Sequence, residues 1–366
     1  MVNSSHGDTL KSTENEKKRQ VEFDYAKTVA IFFMVIIHVI EELSTVNIDT
    51  LPSGFWENFI QFGAGPLAAP VFIFAMGVGI VFSRHQEPIQ LFTRGIKLWI
   101  VAMCLNICRD VIPRLVVGMI SGNTPEWNAL RYQLFNIDVL HFAGFAFILT
   151  ALFKKLKVPA LALVPVGILM QAAGNELSLA FRPTGIAEIV LSYFFNTGGE
   201  LSCFPLLTWY ASLAVGILAG TIIQEYRDHL KKIYSICLWG GLSLLIGFVV
   251  GCHYYNLDIR FLHALYENAF YRQTFFHFVY NTLIITVEIS LLHLITGRLK
   301  KNIDFFDFCG RNLTKIYVVQ WMIIGWISSF NSYLHFEPGL EMSIVTGFAI
   351  TGVSILIAKL LPRFNL

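Results

Sequence analysis

The chain has 366 residues, of which 55% are hydrophobic and 14% charged, and its formal net charge is +2. Soluble domains carry about 25% charged residues, so this composition, with a mean hydropathy of +0.59, excludes an ordinary soluble protein. The basic residues lie at the edges of apolar segments rather than on one soluble surface, which argues against nucleic-acid binding. The sequence therefore predicts one all-α, polytopic domain embedded in a lipid bilayer.

The chain divides into a short tail and one membrane domain. Residues 1–20 are polar and charged, and we predict a disordered cytoplasmic tail there instead of a secretory signal peptide. Residues 21–366 form the transmembrane domain, with both termini in the cytoplasm because most of the 27 Lys and Arg then lie on that side. We expect a multi-pass protein of the cytoplasmic (inner) cell membrane. The predicted ten spans are 22–43, 57–83, 92–119, 134–153, 158–174, 201–223, 233–252, 275–296, 312–330 and 340–361.

The first predicted helix carries ionisable residues inside its apolar segment. Lys27 and His38 are eleven residues apart, so an α-helix places them about 20° apart on one face and about 16 Å apart along the axis. Glu41 and Glu42 follow on the same side of the helix as His38. Ionisable groups in a membrane helix indicate function by default. A snorkelling Lys and a structural His explain the pattern equally well.

The third predicted helix has a short apolar core. Only residues 98–105 are uninterrupted by polar groups, and eight residues cover about 12 Å of a hydrocarbon core about 30 Å thick. Arg109, Asp110 and Arg114 follow and must face protein or water. Asp110 and Arg114 have the spacing of a helical ion pair.

The fourth predicted helix brings further polar residues to the same depth. Asp138 and His141 lie one turn apart at its start, in the half of the membrane where His38 is expected. Two polar features at one depth predict an outward-facing polar cavity, although a dry network of structural ion pairs has the same sequence pattern. The residues expected to line this cavity are Arg109, Asp110, Asp138 and His141.

Basic side chains on the cytoplasmic side form a second candidate site. Arg94 and Lys97 are three residues apart on the opening turn of the third helix and point in one direction. Two cations at this spacing suit a polyphosphate, because each can bind separate oxygens. Arg311 adds to the same surface. The simpler interpretation is that cytoplasmic helix ends are basic in most membrane proteins.

Other sequence motifs are absent or structural. No P-loop, dinucleotide-binding glycine motif, zinc-protease motif or serine-hydrolase elbow occurs. Cys104 and Cys108 lie one helical turn apart, but no second pair or histidine cluster accompanies them, so no metal site is predicted. Glycine pairs in apolar segments indicate close helix packing. These pairs are Gly77 and Gly79, Gly216 and Gly220, and Gly240 and Gly241.

Several segments together resemble a family of membrane acyltransferases. Residues 24–38, DYAKTVAIFFMVIIH, resemble its Arg/Lys-x10-His signature. Arg94-x-x-Lys97 is similar to an Arg-x-x-Arg pair of the type-3 acyltransferases. Four further segments resemble, in order, parts of the heparan-α-glucosaminide N-acetyltransferase catalytic-domain family: APVFIFAMGVGI (69–80), FNIDVLHFAGFAFILTAL (135–152), FPLLTWYASLAVGILAG (204–220) and GRNLTKIYVVQW (310–321). The resemblance extends over residues 22–361.

Three positions depart from the pattern of these relatives. Lys27 replaces the usual Arg, Thr28 replaces the usual Gly, and Gln320 occupies a position where relatives often have His. The first two changes leave the positive charge in place. The third removes a titratable group, so no proton chemistry is expected on the ninth helix.

The resemblance implies an acyltransferase that moves an acyl group, typically acetyl, from cytoplasmic acyl-CoA to a carbohydrate or glycolipid acceptor reached from the extracytoplasmic side. Acyl transfer needs a base on the acceptor or a nucleophile that carries the acyl group. His38 suits either role near neutral pH, with Glu41 or Glu42 to orient it. The expected contacts to the CoA phosphates are Lys27, Arg94, Lys97 and Arg311, and the expected acceptor-binding residues are those of the polar cavity.

Two other functions remain compatible with the sequence. A secondary transporter of a small anionic or proton-coupled solute also places ionisable residues in membrane helices. The two halves of the chain show no inverted repeat and no paired interrupted helices, which favours the enzyme. A scaffold or sensor that keeps the fold without catalysis is the third possibility.

Overall fold

The computed structural model describes residues 20–46, 54–123, 125–198, 201, 203–257, 273–299 and 303–362. Within these ranges the chain is helical and contains no β-strand, which confirms the all-α prediction for this part. The predicted disordered tail lies outside the described residues, apart from Gln20.

The helices are named in chain order. They are α1 (Val21–Leu43), α2 (Phe55–Ala64), α3 (Ala69–Phe82), α4 (Pro88–Asn106), α5 (Ile112–Ser121), α6 (Trp127–Leu134), α7 (Val139–Lys155), α8 (Ala160–Ala180), α9 (Ile186–Ser192), α10 (Leu206–Glu225), α11 (Leu230–Tyr254), α12 (Phe275–Thr296), α13 (Asp304–Arg311), α14 (Leu313–Ser329), α15 (Asn331–Leu334) and α16 (Leu340–Leu360). A π-helical turn, Ile107–Val111, joins α4 to α5, and a 3₁₀ turn, Arg227–His229, precedes α11.

Seven stretches of the described chain are long and apolar enough to cross a membrane: Val21–Leu43, Phe55–Phe82, Ala160–Ala180, Leu206–Glu225, Arg227–Tyr254, Phe275–Thr296 and Leu340–Leu360. The chain is therefore a multi-pass membrane protein. The other three predicted spans coincide with α7 and α14, of 17 residues each, and with α4 to α5, which the π turn interrupts. Seventeen residues rise about 26 Å, slightly less than the hydrocarbon core. Ten spans and cytoplasmic termini stay predictions.

Helix α1 lies at the centre of the bundle. It packs against α2, α3, α12, α13, α14 and α16, and Ala26, Ala30, Ile31 and Val35 are fully buried along its length. Helix α11, by contrast, packs mainly on α12 and leaves large apolar side chains exposed on its other faces, as a lipid-facing helix does. The polar residues of α1 are therefore presented to protein neighbours and to the space between them.

The glycine predictions are right at some positions and wrong at others. Gly216 of α10 and Gly77 of α3 pack so closely that an added Cβ would collide with the backbone of the facing helix. Gly79 and Gly240 have no neighbouring atom within 4 Å of such a Cβ. Close helix packing therefore explains the first two glycines and not the last two.

Candidate active site

A cavity of about 120 Å³ lies between α1, α14, the π turn and the α6–α7 connection. Five residues predicted from the sequence line it: His38, Glu41, Glu42, Arg109 and Asp138. The two glutamates are exposed, whereas Arg109 is 2% and Asp138 7% exposed. The cavity therefore leads from a surface that carries two carboxylates to a buried end that carries a cation and a carboxylate.

The imidazole of His38 is held by two residues of α14. Its Nδ1 lies 3.4 Å from Oε1 of Gln320, and its ring packs on the indole of Trp321, with the ring centroids 4.0 Å apart. An amide oxygen can only accept a hydrogen bond, so Nδ1 donates and Nε2 keeps its lone pair. This geometry leaves His38 with one nitrogen that can accept a proton.

The two glutamates do not orient His38 as the sequence suggested. Gln320, and neither Glu41 nor Glu42, is the hydrogen-bond partner of His38 in the described part of the chain. Glu42 accepts instead from Oγ of Ser328, at 3.4 Å. The ninth predicted helix thus contributes Gln320 as the partner of His38, and the expectation that this helix carries no proton chemistry stays a prediction.

Arg109 lies in the π turn between α4 and α5. Its Nε donates to Oδ2 of Asp110 at 2.9 Å, and its guanidinium carbon lies 4.2 Å from the ring centroid of Trp321. Its Nη1 lies 3.4 Å from Oδ2 of Asp138. The predicted ion pair of Asp110 with Arg114 is wrong: within the described residues Asp110 pairs with Arg109, because the wider π turn shifts the register on which the prediction depended.

Helix α14 also supports the π turn. Pro113 has no N–H, so the carbonyl of Cys108, five residues earlier, loses its π-helical donor. Nε1 of Trp326 donates to that carbonyl at 3.0 Å. Gly325 lies against the carbonyl of Arg109 so closely that any larger residue would collide with it. The position of the Arg109 backbone is therefore set by α14.

Asp138 caps the first turn of α7. Its Oδ1 accepts from the backbone N–H of Leu140 at 2.9 Å and lies 3.3 Å from Nδ1 of His141. Its Oδ2 accepts from the hydroxyl of Tyr317 at 3.1 Å. His141 is fully buried and lies behind Asp138, just as Asp110 lies behind Arg109. Of the four predicted acceptor residues, two line the cavity and two hold the lining residues.

The chain before Asp138 is anchored by a buried amide. Asn106 is fully buried, and its Nδ2 donates to the carbonyls of Leu134 at 3.0 Å and Asn136 at 2.8 Å. These two hydrogen bonds fix the α6–α7 connection against the end of α4. The sequence interpretation did not include Asn106, although an Asn that directly follows a short apolar core is a signal for such an anchor.

Two of the predicted CoA-binding cations, Lys27 and Arg311, lie on helices that pack against each other. Helix α13 packs on α1, where Gly310 lies directly against the carboxylate of Asp24. Lys27 lies 3.9 Å from the same carboxylate, and the exposed Arg311 pairs with Asp307 at 2.9 Å. Lys27 on α1 and Arg311 on α13 are therefore held near each other by the packing of these two helices.

The other two predicted cations lie on α4. The guanidinium of Arg94 is 4.9 Å from the ring centroid of Phe147 on α7, and Lys97 is exposed. Helix α4 packs mainly on α7. The positions of Arg94 and Lys97 are therefore set by α4 and α7, whereas those of Lys27 and Arg311 are set by α1 and α13.

The sequence profile of the heparan-alpha-glucosaminide N-acetyltransferase catalytic family matches residues 19–252, more than half of the chain. The matched range extends from α1 into α11 and includes the cavity residues on α1, on the π turn and in the α6–α7 connection. No curated protein matches the sequence at a significant level.

Proposed function

Because the chain belongs to the heparan-alpha-glucosaminide N-acetyltransferase catalytic family, we propose that it is a membrane enzyme that transfers an acetyl group from acetyl-CoA, or another acyl group from its CoA thioester, to a hydroxyl or amine of a carbohydrate or glycolipid. The donor enters from the cytoplasmic side and the acceptor from the opposite side of a cytoplasmic membrane. Acyl-CoA is a co-substrate in this proposal.

The observation that carries the proposal is that His38 lines a cavity beside Arg109 and Asp138 and that its Nε2 makes no hydrogen bond within the described residues. Oε1 of Gln320 fixes the proton on Nδ1, so Nε2 can take the proton of an acceptor hydroxyl or amine as that group attacks the thioester. The imidazolium then returns this proton to the sulfur of the departing CoA. Packing of the ring on Trp321 holds the imidazole in place during both transfers.

The size of the cavity limits what it holds. A volume of about 120 Å³ admits the thioester end of the donor and one reacting group of the acceptor. The nucleotide of CoA is several times larger and must bind elsewhere. This separation supports a donor that reaches His38 with its flexible pantetheine arm while its phosphates stay near the membrane surface.

We expect the double variant Arg94→Glu and Lys97→Glu to bind acetyl-CoA at least about tenfold more weakly, because one charge-assisted hydrogen bond contributes about 1.5–3 kcal/mol. Isothermal titration of the detergent-solubilised protein with acetyl-CoA measures the change. The double variant Lys27→Glu and Arg311→Glu, on α1 and α13, tests the second pair of cations in the same way.

The matched control is Lys231→Glu with Lys232→Glu. Both lysines are exposed at the start of α11 and are predicted to be cytoplasmic, so this variant makes the same change in net charge. We expect it to bind acetyl-CoA as the unaltered protein does. Unchanged affinity in both of the other double variants would remove the phosphate-binding role from all four cations.

The function itself is tested with membrane vesicles that carry the chain and acetyl-CoA labelled with ¹⁴C in the acetyl group. Glucosamine and glucose are the acceptors, each added on one side of the membrane at a time. We expect labelled acetyl-glucosamine or acetyl-glucose, formed only when donor and acceptor are on opposite sides. Uptake of a labelled anion without any acetylated product would favour the transporter instead.

A further inference from the structure

Arg109 is the only arginine or lysine among the described residues that line the cavity. Its side chain is 3% exposed, and a cation at this depth is costly unless it is neutralised. Asp110 at 2.9 Å and Asp138 at 3.4 Å supply the opposite charge, and the indole of Trp321 covers the plane of the guanidinium. Three neighbours thus fix a positive charge at the buried end of the cavity.

Two nitrogens of this guanidinium, Nη1 and Nη2, make no hydrogen bond within the described residues. Nη1 of Arg109 is fully shielded from solvent and has no hydrogen-bond partner within the described residues. Its approach to Asp138 is an ion pair without hydrogen-bond geometry. A buried donor that makes no hydrogen bond is costly and rare in folded proteins. Nη2 also makes no hydrogen bond within the described residues, but it is not shielded in this way, so an acceptor atom of a molecule in the cavity can reach Nη2.

The guanidinium of Arg109 and the imidazole of His38, the proposed base, both contact the indole of Trp321. The imidazole centroid of His38 is 4.0 Å, and the guanidinium carbon of Arg109 is 4.2 Å, from Trp321, so the two groups are at most 8.2 Å apart. An attacking oxygen, a carbonyl carbon and its oxygen, with a hydrogen bond at each end, span a distance of this order. One reacting thioester can therefore contact His38 on one side and Arg109 on the other.

We propose that Arg109 donates from Nη2 to the thioester oxygen and stabilises the oxyanion that forms there. This inference rests on the proposed function. As His38 takes the proton, the acceptor oxygen or nitrogen bonds to the carbonyl carbon, and the C=O π pair moves onto the oxygen that Arg109 binds. The carbonyl then reforms, the carbon–sulfur bond breaks, and the CoA sulfur takes the proton from His38.

This role differs from the acceptor binding that the sequence predicts for Arg109. Preorganised donors aimed at an oxyanion contribute to the transition state and little to the ground state, because charge develops only during reaction. An acceptor-binding cation would mainly change the acceptor KM, whereas an oxyanion donor changes kcat. The two roles are therefore separable by measurement.

The test is steady-state transfer from acetyl-CoA by Arg109→Gln at saturating donor. We expect kcat to fall about 10²–10³-fold while the acceptor KM changes less than about threefold. Arg109→Lys keeps the charge without the planar geometry, so its kcat should lie between those of the unaltered protein and Arg109→Gln. Arg131→Gln, a change of the same kind in α6 outside the cavity, should keep kcat near that of the unaltered protein.

A second measurement does not depend on turnover. Infrared difference spectra with [1-¹³C]acetyl-CoA should show the thioester carbonyl band at lower frequency in the unaltered protein than in solution, and nearer its solution value in Arg109→Gln. Thermal stabilisation by acetyl-CoA shows that each variant is folded and binds donor. A raised acceptor KM with kcat unchanged, or a carbonyl band that does not move, overturns the inference. Absence of transfer by the unaltered protein would instead overturn the proposed function.

Discussion

Replacing His38 with alanine is expected to lower acetyl transfer by about 10²–10⁴-fold, the usual loss when a positioned general base is removed. The fold should survive, because the ring makes one long hydrogen bond, to Gln320, and two aromatic contacts, to Trp321 and Tyr317. Such an aromatic contact contributes about 0.5–1.5 kcal/mol, a small part of a typical stability of about 5–15 kcal/mol. The measurement is transfer of ¹⁴C-acetyl from acetyl-CoA to the acceptor by vesicles that carry each variant.

Three further variants test whether the loss of acetyl transfer in His38→Ala is specific to this histidine. His85→Ala removes an exposed imidazole outside the cavity and should leave the transfer rate unchanged. Glu41→Gln and Glu42→Gln should lose less activity than His38→Ala, because neither carboxylate forms a hydrogen bond with His38 in the described structure. A transfer rate near that of the unaltered protein in His38→Ala would end the base mechanism and return this face of α1 to a structural or transport role.

Replacing Gly216 with leucine is expected to prevent stable folding. A Cβ at this position would collide with the carbonyl of Phe74, and Gly77 packs in the same way on the carbonyl of Leu213. Overpacking usually costs about 1–3 kcal/mol. Here the obstacle is backbone rather than a flexible side chain, so we expect at least the upper end of that range. The melting temperature and the yield of monodisperse protein in detergent report the change.

Gly240→Leu is the matched control for this variant. Gly240 is also a glycine within a membrane helix, but no atom lies within 4 Å of the position of its Cβ. The same substitution there should leave the melting temperature nearly unchanged or raise it slightly, because leucine favours the helix over glycine by about 0.8 kcal/mol. Equal melting temperatures for the two variants would show that the α3–α10 contact contributes little.

The membrane depth of the site could be predicted from the sequence. An α-helix rises a fixed distance per residue, so a position along an apolar segment gives a depth, and His38, Arg109 and Asp138 were expected at one level. The structure brings all three to one cavity. Helix α1 was also predicted within one residue of its observed start and end, because its apolar run and its polar flanks are both sharp.

The neighbours of each helix could not be predicted in the same way. Depth says nothing about which helix faces which, and the partner of His38 is Gln320, 282 residues later in the chain. Trp321 lies in an apolar helix, where an aromatic residue usually indicates packing, and its contacts with His38 and Arg109 appear only after folding. The sequence did single out Gln320, which occupies a position where relatives often have His. That difference was interpreted only as the loss of a titratable group.

The π turn between α4 and α5 has a consequence for how this chain compares with its relatives. It contains one residue more than an ordinary helical turn, so deleting one residue from Ile107–Val111 would leave a continuous α-helix that is still apolar and still folded. Because the wider turn takes up the extra residue, the change of register would fall on the turn itself, and Arg109 would lose its present position against Trp321 and Asp138. In an alignment this event is a single gap with every helix intact. The buried cation can therefore be added or removed by insertion or deletion of one residue, without any substitution at the site.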